Sequence, residues 1–179
     1  MKLLMHICCA PCFIAPYKHL KDVFDIMGFW YNPNIHPYQE YKKRLAEVKR
    51  FEEENDIKII YKDEYNLKKW LQNVVFREEQ RCRICYHDRL INTAMVADHG
   101  NFDYFSSTLL YSKFQNQKLI WDIAEEVASK YSVKFYDKDL RQYWKEGIEL
   151  SKKNDMYRQQ YCGCIYSEKD RYYPRNKRS

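Results

Sequence analysis

The sequence predicts an α/β domain in which a mostly parallel sheet is flanked by helices. Short β-branched and aromatic runs alternate with segments whose apolar residues have helical spacing, which is typical of βαβ units with parallel strands. The composition is globular, with 45% hydrophobic and 31% charged residues and only four glycines and five prolines. We expect a single domain over residues 1–179, since a chain of ~150 residues already buries roughly 70% of its unfolded surface.

Five strands are predicted from these apolar runs. The first, LLMHI, has the pattern of a buried strand, and the second ends in the turn-prone segment YNPNIHP. The third, IKIIY, is β-branched or aromatic apart from one lysine. The predicted strands cover residues 3–7, 24–32, 57–61, 103–111 and 133–137.

Six helices are predicted between and after the strands. Pro37 opens the second of them, and its apolar residues from Tyr38 to Phe51 recur every three or four positions as one buried stripe. Ser112 is a suitable N-cap residue for the fifth. The predicted helices run from about Ile14 to Phe24, from Pro37 through Phe51, near Leu67–Phe76, from Arg81 to about Gly100, from Ser112 through Val127, and near Leu140–Leu150.

Three segments fall at or near the carboxyl ends of predicted strands. CCAPC (8–12) follows the first strand, YNPNIHP (31–37) closes the second, and SSTLL (106–110) lies late in the fourth. Ligands of open parallel sheets bind beyond these strand ends, so we expect the three segments to face one crevice. The sequence contains neither GxGxxG nor GxxxxGKS/T and does not support either kind of nucleotide-phosphate site.

The chain is basic, with 31 lysines and arginines against 25 acidic residues, and it contains 17 tyrosines. Such a composition is typical of RNA binding, because unpaired bases stack on aromatic rings. A solvated basic tail and a tyrosine-rich core explain it equally well at this stage. The sequence has no apolar run long enough to span a membrane and does not begin like a signal peptide, so we expect a cytoplasmic protein with no membrane partner.

The seven cysteines fall into three tight groups: Cys8, Cys9 and Cys12; Cys82 and Cys85; Cys162 and Cys164. In a reducing compartment, such groups are more often metal-binding or catalytic than disulfide-bonded. Cys82 and Cys85 lie on one face at the start of a predicted helix, whose positive end lowers the pKa of a thiol. With Cys8 and Cys9 they would form a four-thiolate site of the kind that binds zinc or a [4Fe–4S] cluster. Thiol chemistry without a metal and buried, inert cysteines remain alternatives.

Cys162 and Cys164 are separated only by Gly163, so their sulfur atoms can bond only in a small, strained loop. Strained disulfides are easily reduced and are often catalytic. We therefore predict a redox-active pair, with two further metal ligands as the alternative.

Four blocks of the sequence resemble the QueH-type epoxyqueuosine reductases, the cobalamin-independent enzymes of tRNA queuosine biosynthesis. They are HxCCAPC (His6–Cys12), YNPNIHP (Tyr31–Pro37), RCxxCYxxRL (Arg81–Leu90) and YRQxYCGCxYS (Tyr157–Ser167). The blocks occur in order over nearly the whole chain. Within SSTLL, a serine stands where the family is expected to have threonine, an exchange that keeps the hydroxyl group.

The resemblance implies a single Rossmann-like (HUP-like) domain with a cysteine-bearing C-terminal segment. The implied enzyme is an oxidoreductase that converts epoxyqueuosine to queuosine at the wobble position of a tRNA with a GUN-type anticodon, using an unidentified electron donor. It would hold a [4Fe–4S] cluster on Cys8, Cys9, Cys82 and Cys85 and use Cys162 and Cys164 as its catalytic redox pair. A second, mononuclear iron beside the cluster occurs as a possibility in the family, with Cys12 as a candidate ligand.

Residue type and position also predict contacts with the RNA. The predicted substrate contacts are Tyr31, Asn32, Tyr38, Arg158 and Tyr161, and the predicted phosphate contacts are Arg158, Arg171, Arg175 and Lys177. Two rival functions are a zinc-stabilised RNA-binding module and a thiol–disulfide oxidoreductase acting through Cys82 and Cys85. The second rival is disfavoured because this CxxC motif does not follow the first strand, as it would in a thioredoxin-like unit.

Overall fold

The computed structural model describes residues 1–173 and contains a five-stranded sheet in which every neighbouring pair of strands is parallel. The strands are β1 (Lys2–His6), β2 (Asp25–Trp30), β3 (Ile59–Tyr61), β4 (Tyr104–Ser107) and β5 (Lys134–Phe135). Their order across the sheet is β3-β2-β1-β4-β5. This is the doubly wound order of Rossmann-like folds, so the predicted α/β fold class is confirmed.

The helices of the described residues connect and cover these strands. They are α1 (Ala10–Leu20), α2 (Tyr38–Asn55), α3 (Leu67–Val74), α4 (Arg81–His99), α5 (Gln117–Ala128), α6 (Trp144–Lys153) and α7 (Ile165–Tyr172). Short 3₁₀ turns span Glu78–Gln80, Thr108–Tyr111 and Leu140–Tyr143. Helix α1 packs against α2 and α6, whereas α4 packs against α5. None of these helices is long and apolar enough to cross a membrane.

Helix α1 differs from its prediction at both ends, because it begins at Ala10 rather than Ile14 and ends at Leu20 rather than Phe24. Proline is well tolerated in the first turn of a helix, where its missing N–H would have no partner. Pro11 therefore lies inside the start of the helix, and the loop after β1 is shorter than the sequence suggested.

Three other boundaries depend on contacts that the sequence patterns did not reveal. The predicted fourth strand ends at Ser107, because the Ser107 hydroxyl accepts a hydrogen bond from the Leu109 amide and the chain turns into a 3₁₀ helix. The N-cap prediction for Ser112 is wrong: Asn116 caps α5 by accepting a hydrogen bond from the Leu119 amide. Helix α7 had no counterpart among the predicted helices.

The hydrophobic core is centred on β1, whose residues Leu3, Leu4 and Met5 are completely buried. Burial on both faces is characteristic of central strands in parallel sheets. Because β1 lies between β2 and β4, the connections diverge on its two sides, and the carboxyl ends of β1 and β4 flank the topological switch point. His6 pairs with Ser107 there, which brings the segments after both strands together.

Candidate thiol-lined active site

The first thiol cluster lies between β1 and α1, at the switch point of the sheet. The sulfur atoms of Cys8, Cys9 and Cys12 all lie within 4.8 Å of one another. Those of Cys8 and Cys9 are 3.8 Å apart, and those of Cys9 and Cys12 are 2.8 Å apart. Cys9 is the N-cap residue of α1 and Cys12 lies in its first turn, so the start of the helix brings the three thiols together.

Thr108 joins this cluster to the end of β4. Its hydroxyl accepts a hydrogen bond from the Cys8 amide at 3.0 Å and donates one to the Cys8 sulfur at 3.2 Å. Hydrogen bonds from Cys12 and Cys9, supported by Thr108, hold the pKa of Cys8 well below its usual range. Burial raises the pKa of Cys9. The cluster therefore favours one thiolate with thiol donors around it, and a bound metal would deprotonate each coordinating sulfur.

His6 supports the cluster without offering a free ring nitrogen. Its Nε2 donates to the Tyr31 carbonyl at 3.1 Å, so its Nδ1 accepts from the Ser107 hydroxyl at 2.8 Å. Burial, together with the positive charge of Arg89, lowers the pKa of His6 to about 4. The neutral ring thus ties β1 to both of its neighbouring strands.

Arg89 links the second thiol pair to the rest of the site. Cys82 and Cys85 lie in the first turn of α4, and Arg89 follows Cys85 by one further turn. The Arg89 side chain is almost fully buried and donates from Nη2 to the Cys85 sulfur at 3.0 Å. Burial raises the pKa of Cys85 to about 12, an effect that the Arg89 charge opposes. The Arg89 charge also lowers the pKa of Cys162, and Arg89 lines the same cavity as Cys8 and Cys162.

Arg44 of α2 holds the backbone just before Gly163. It is almost fully buried, and its Nη1 and Nη2 donate to the carbonyls of Cys162 and Tyr161, both at 2.9 Å. Its Nε donates to Glu40 at 2.7 Å. One buried cation therefore fixes two consecutive peptide groups next to the predicted redox pair.

Two further contacts orient the CGC segment (Cys162–Cys164). The His36 amide donates to the Gly163 carbonyl at 2.8 Å, so the YNPNIHP loop supports this segment from one side. On the other side, the Gln115 side chain donates to the Cys162 sulfur at 3.3 Å. Burial raises the pKa of the Cys162 thiol, with Arg89 and Gln115 acting in the opposite direction. Both thiols of the segment are free.

We expect Gly163→Ala to destabilise the CGC segment. Gly163 has φ +148°, a conformation that residues with a side chain rarely adopt, and an added Cβ would lie 3.1 Å from the Asn34 side-chain nitrogen. The strain should lower the free energy of unfolding by ~1–3 kcal/mol. Urea unfolding measures this loss, and peptide mapping after brief alkylation should show faster modification of Cys162. Unchanged stability together with unchanged alkylation would contradict the prediction.

A cavity of about 640 Å³ opens between the thiol groups, within the range of ~300–1,000 Å³ for small-molecule sites. Cys8, Cys12 and Cys162 are among the residues that line it. The cations of the wall are Arg89, Arg158 and Arg171. Gln159 also lines it and donates to the Cys12 sulfur at 3.2 Å. The first and third cysteine groups thus face one space.

The predicted RNA contacts divide into two sets. Arg158, Tyr161 and Arg171 line the cavity, whereas Tyr31, Asn32 and Tyr38 do not. The Tyr31 hydroxyl donates to Asp88, the Asn32 side-chain Nδ2 donates to the Ile7 carbonyl, and Tyr38 is half-exposed on α2. Arg175 and Lys177 lie outside the described residues.

The donor set of the site suits a thiolate-bound metal. Within residues 1–173, Cys8, Cys9 and Cys12 are the group whose sulfur atoms are close enough together to hold one ion. The structure does not bring Cys82 and Cys85 within this distance of them, although Arg89 is close to members of both groups. The three clustered thiols and the Cys82–Cys85 pair near Arg89 are soft sulfur ligands, and iron–sulfur clusters and zinc both bind to ligands of this kind.

The roles of several polar residues of the site could not be predicted from the sequence. Arg44 occupies a position on the same stripe as Tyr41, Leu45 and Val48, and a cation on an apolar stripe is a signal that could have identified it. Arg89 gives the same signal, because it is a buried cation next to the buried apolar residue Leu90. Gln115 carries no such signal, because its contact with a thiol arises only from the tertiary fold, whereas Gln159 and Thr108 lie within the YRQxYCGCxYS and SSTLL segments.

Comparison with known proteins identifies close relatives over almost the full length. A family model described as "Epoxyqueuosine reductase QueH" matches residues 3–170, a span that contains all of the cysteines. The epoxyqueuosine reductase QueH of Dehalococcoides mccartyi is 38% identical, over 96% of this chain and 94% of its own. The protein of the same name from Thermotoga maritima is 35% identical, over 92% of this chain and 89% of its own. The one from Streptococcus pyogenes serotype M1 is 34% identical, over 93% of this chain and 70% of its own.

Proposed function

The chain belongs to the epoxyqueuosine reductase QueH family and is an oxidoreductase, and we propose that it removes the epoxide oxygen of epoxyqueuosine at the wobble position of tRNA. The observation that carries this proposal is the cavity that Cys8, Cys12 and Cys162 all line, together with Arg89. A cavity of that size takes one modified nucleoside. The substrate then lies between a metal-competent thiol cluster and a dithiol.

We assign a [4Fe–4S] cluster to Cys8, Cys9, Cys82 and Cys85, with Cys12 as the candidate ligand of a second iron. When bound, these groups would supply single electrons and a Lewis acid for the epoxide oxygen. The chain's own residues influence the protonation states of the cysteine ligands. Thr108 and the neighbouring thiols favour the thiolate of Cys8, whereas burial raises the pKa of Cys85 and the Arg89 charge opposes this effect.

The electron balance gives Cys162 and Cys164 their proposed role. Converting the epoxide to an alkene and water consumes two electrons and two protons. A dithiol that closes to a disulfide releases two electrons and two protons, so one oxidation of the pair matches one turnover. An external electron donor, whose identity is open, then restores the dithiol. Arg44 and Gln115 keep the pair beside the cavity during this cycle.

Arg158 and Tyr161 are the proposed substrate contacts within the cavity, and Tyr31, Asn32 and Tyr38 remain predicted contacts outside it. Binding requires the wobble nucleoside to leave the anticodon loop, as bases of RNA loops recognised by sequence generally do. The proposed partner is a tRNA with a GUN-type anticodon, and the proposed location is the cytoplasm.

Paired cysteine variants test the ligand assignment. If Cys8, Cys9, Cys82 and Cys85 hold the cluster, Cys82→Ala loses most iron and sulfide, whereas Cys12→Ala keeps about four irons and four sulfides per chain. Iron, zinc and acid-labile sulfide are measured on anaerobically purified protein. The reverse result would assign the cluster to the Cys8–Cys9–Cys12 group instead.

The same preparation separates the proposed reaction from its rivals. Brown protein that converts epoxyqueuosine-containing tRNA to queuosine-containing tRNA supports the reductase, with nucleoside mass spectrometry as the readout. Colourless, zinc-containing protein that binds RNA without converting it would instead indicate a zinc-stabilised RNA-binding module. Reduction of protein disulfides without any effect on tRNA would indicate a thiol–disulfide oxidoreductase.

A further inference from the structure

Phe114 is an exposed aromatic ring at the rim of the cavity. The residue is 85% exposed and yet contributes to the cavity lining, so its ring stands at the entrance. A single exposed apolar residue is ordinary on a protein surface. Phe114 differs from such residues in its position, because the next residue, Gln115, contacts the Cys162 sulfur.

The segment that carries Phe114 is anchored on both sides of the ring. The Phe114 amide donates to the Ser112 hydroxyl, and the Gln115 side chain accepts from the Tyr86 hydroxyl at 2.7 Å. The ring packs edge-to-face against Trp144, with centroids 5.6 Å apart and planes at 76°. Because Phe114 is 85% exposed, this contact leaves most of its ring surface open. A held ring with an open surface suits stacking, since little conformational freedom is lost on binding.

The charges around this ring favour a polyanion. The cations of the cavity wall are Arg89, Arg158 and Arg171, and the ammonium group of Lys113 lies 6.0 Å from the Trp144 ring centre. Asp170 is the one acidic residue among the described residues that line the cavity, and it pairs with Arg81 at 3.0 Å. Aromatic faces among arginines and lysines are the combination that binds single-stranded nucleic acid.

We propose that Phe114 is a stacking platform for an unpaired base that neighbours the base inserted into the cavity. The inference rests on the proposed function and adds to it how the adjacent part of the RNA loop is held. A cavity of about 640 Å³ accommodates one modified nucleoside, so the flanking nucleotides remain at the rim. Phe114 there replaces the stacking that the flanking base loses when its neighbour leaves the loop.

Phe76 supplies a matched control. It is also a phenylalanine, is 95% exposed, and lies between α3 and α4 in a shallow apolar depression with Leu67, Leu71 and Val75. No cysteine lines that depression. Non-specific hydrophobic attraction to RNA would involve both phenylalanines, whereas stacking at the cavity entrance involves only Phe114.

The test measures binding of a fluorescent anticodon stem-loop that carries epoxyqueuosine, without an electron donor, so that no turnover occurs. Phe114→Ala should weaken binding about tenfold, which corresponds to ~1.4 kcal/mol, because one base–aromatic stack is lost. Phe114→Trp should stay within about twofold of wild type, since indole also stacks. Phe76→Ala should leave the affinity unchanged. Iron content and circular dichroism verify that each variant is folded.

Salt dependence and catalysis give independent readouts. Phe114→Ala should keep the wild-type slope of log affinity against log salt, because it removes no phosphate contact, whereas Arg171→Ala should flatten it. Unchanged affinity in Phe114→Ala, or equal losses in Phe114→Ala and Phe76→Ala, would overturn the stacking role even if the protein reduces tRNA. Phe114-dependent binding without any reduction of epoxyqueuosine would support stacking and contradict the proposed reaction.

Discussion

Cys164→Ser is expected to abolish turnover, with enzyme in excess as well as with tRNA in excess, while the protein keeps its iron and its visible absorbance. Without the second sulfur the disulfide cannot form, so the pair can no longer deliver two electrons in each cycle. The substitution should disturb the fold very little. Cys164 is the N-cap residue of α7 and accepts a hydrogen bond from the Ser167 amide at 3.4 Å, and serine is itself a preferred N-cap residue.

The measurement compares product per enzyme with tRNA in excess and with enzyme in excess. Cys162→Ser should behave in the same way, because Cys162 lines the cavity while its backbone carbonyl remains bound to Arg44. If either variant loses its brown colour, that cysteine is a metal ligand rather than a member of the redox pair. Sustained turnover by both variants would remove the dithiol from the reaction.

The position of the first thiol cluster could be predicted because it depends on local pattern and topology alone. A buried run followed by CCAPC identifies the end of a strand, and SSTLL does so for β4. Right-handed crossovers in a parallel sheet bring such ends to one edge. The contact between Cys8 and Thr108 confirms this expectation. The YNPNIHP loop instead approaches the site from behind the CGC segment, where His36 binds Gly163.

The parts that could not be predicted are those fixed by contacts between distant segments. A helical stripe shows that Arg44 is buried, but nothing local shows that its partners are carbonyls 117 and 118 residues away. The N-cap of α5 could not be predicted either, since both Ser112 and Asn116 are suitable N-cap residues. Ser112 ends the preceding 3₁₀ turn, and its carbonyl accepts a hydrogen bond from Gln117, so Asn116 is left to cap α5.

Arg44→Met should be among the most destabilising single substitutions in this protein. Methionine fills a similar volume but leaves the buried Glu40 carboxylate without its cation and the carbonyls of Tyr161 and Cys162 without donors. Removing one partner of a buried ion pair costs ~3–5 kcal/mol, because the remaining charge stays buried. Urea unfolding should show a loss of this size. Alkylation of Cys162 should also become faster, since the CGC segment is released from α2.

Arg50 on the same helix provides the matched control. Its side chain is 38% exposed, against 1% for Arg44, although its partner Glu47 is only 11% exposed and it also donates to the Asn154 carbonyl, so Arg50→Met should cost clearly less than Arg44→Met. Adding Glu40→Gln to Arg44→Met should recover part of the lost stability, because it removes the unpaired charge. If both arginine variants lose equal stability, Arg44 acts through general packing of α2. If the double variant gains nothing, the uncompensated carboxylate is not the source of the loss, and the two unpaired carbonyls account for it.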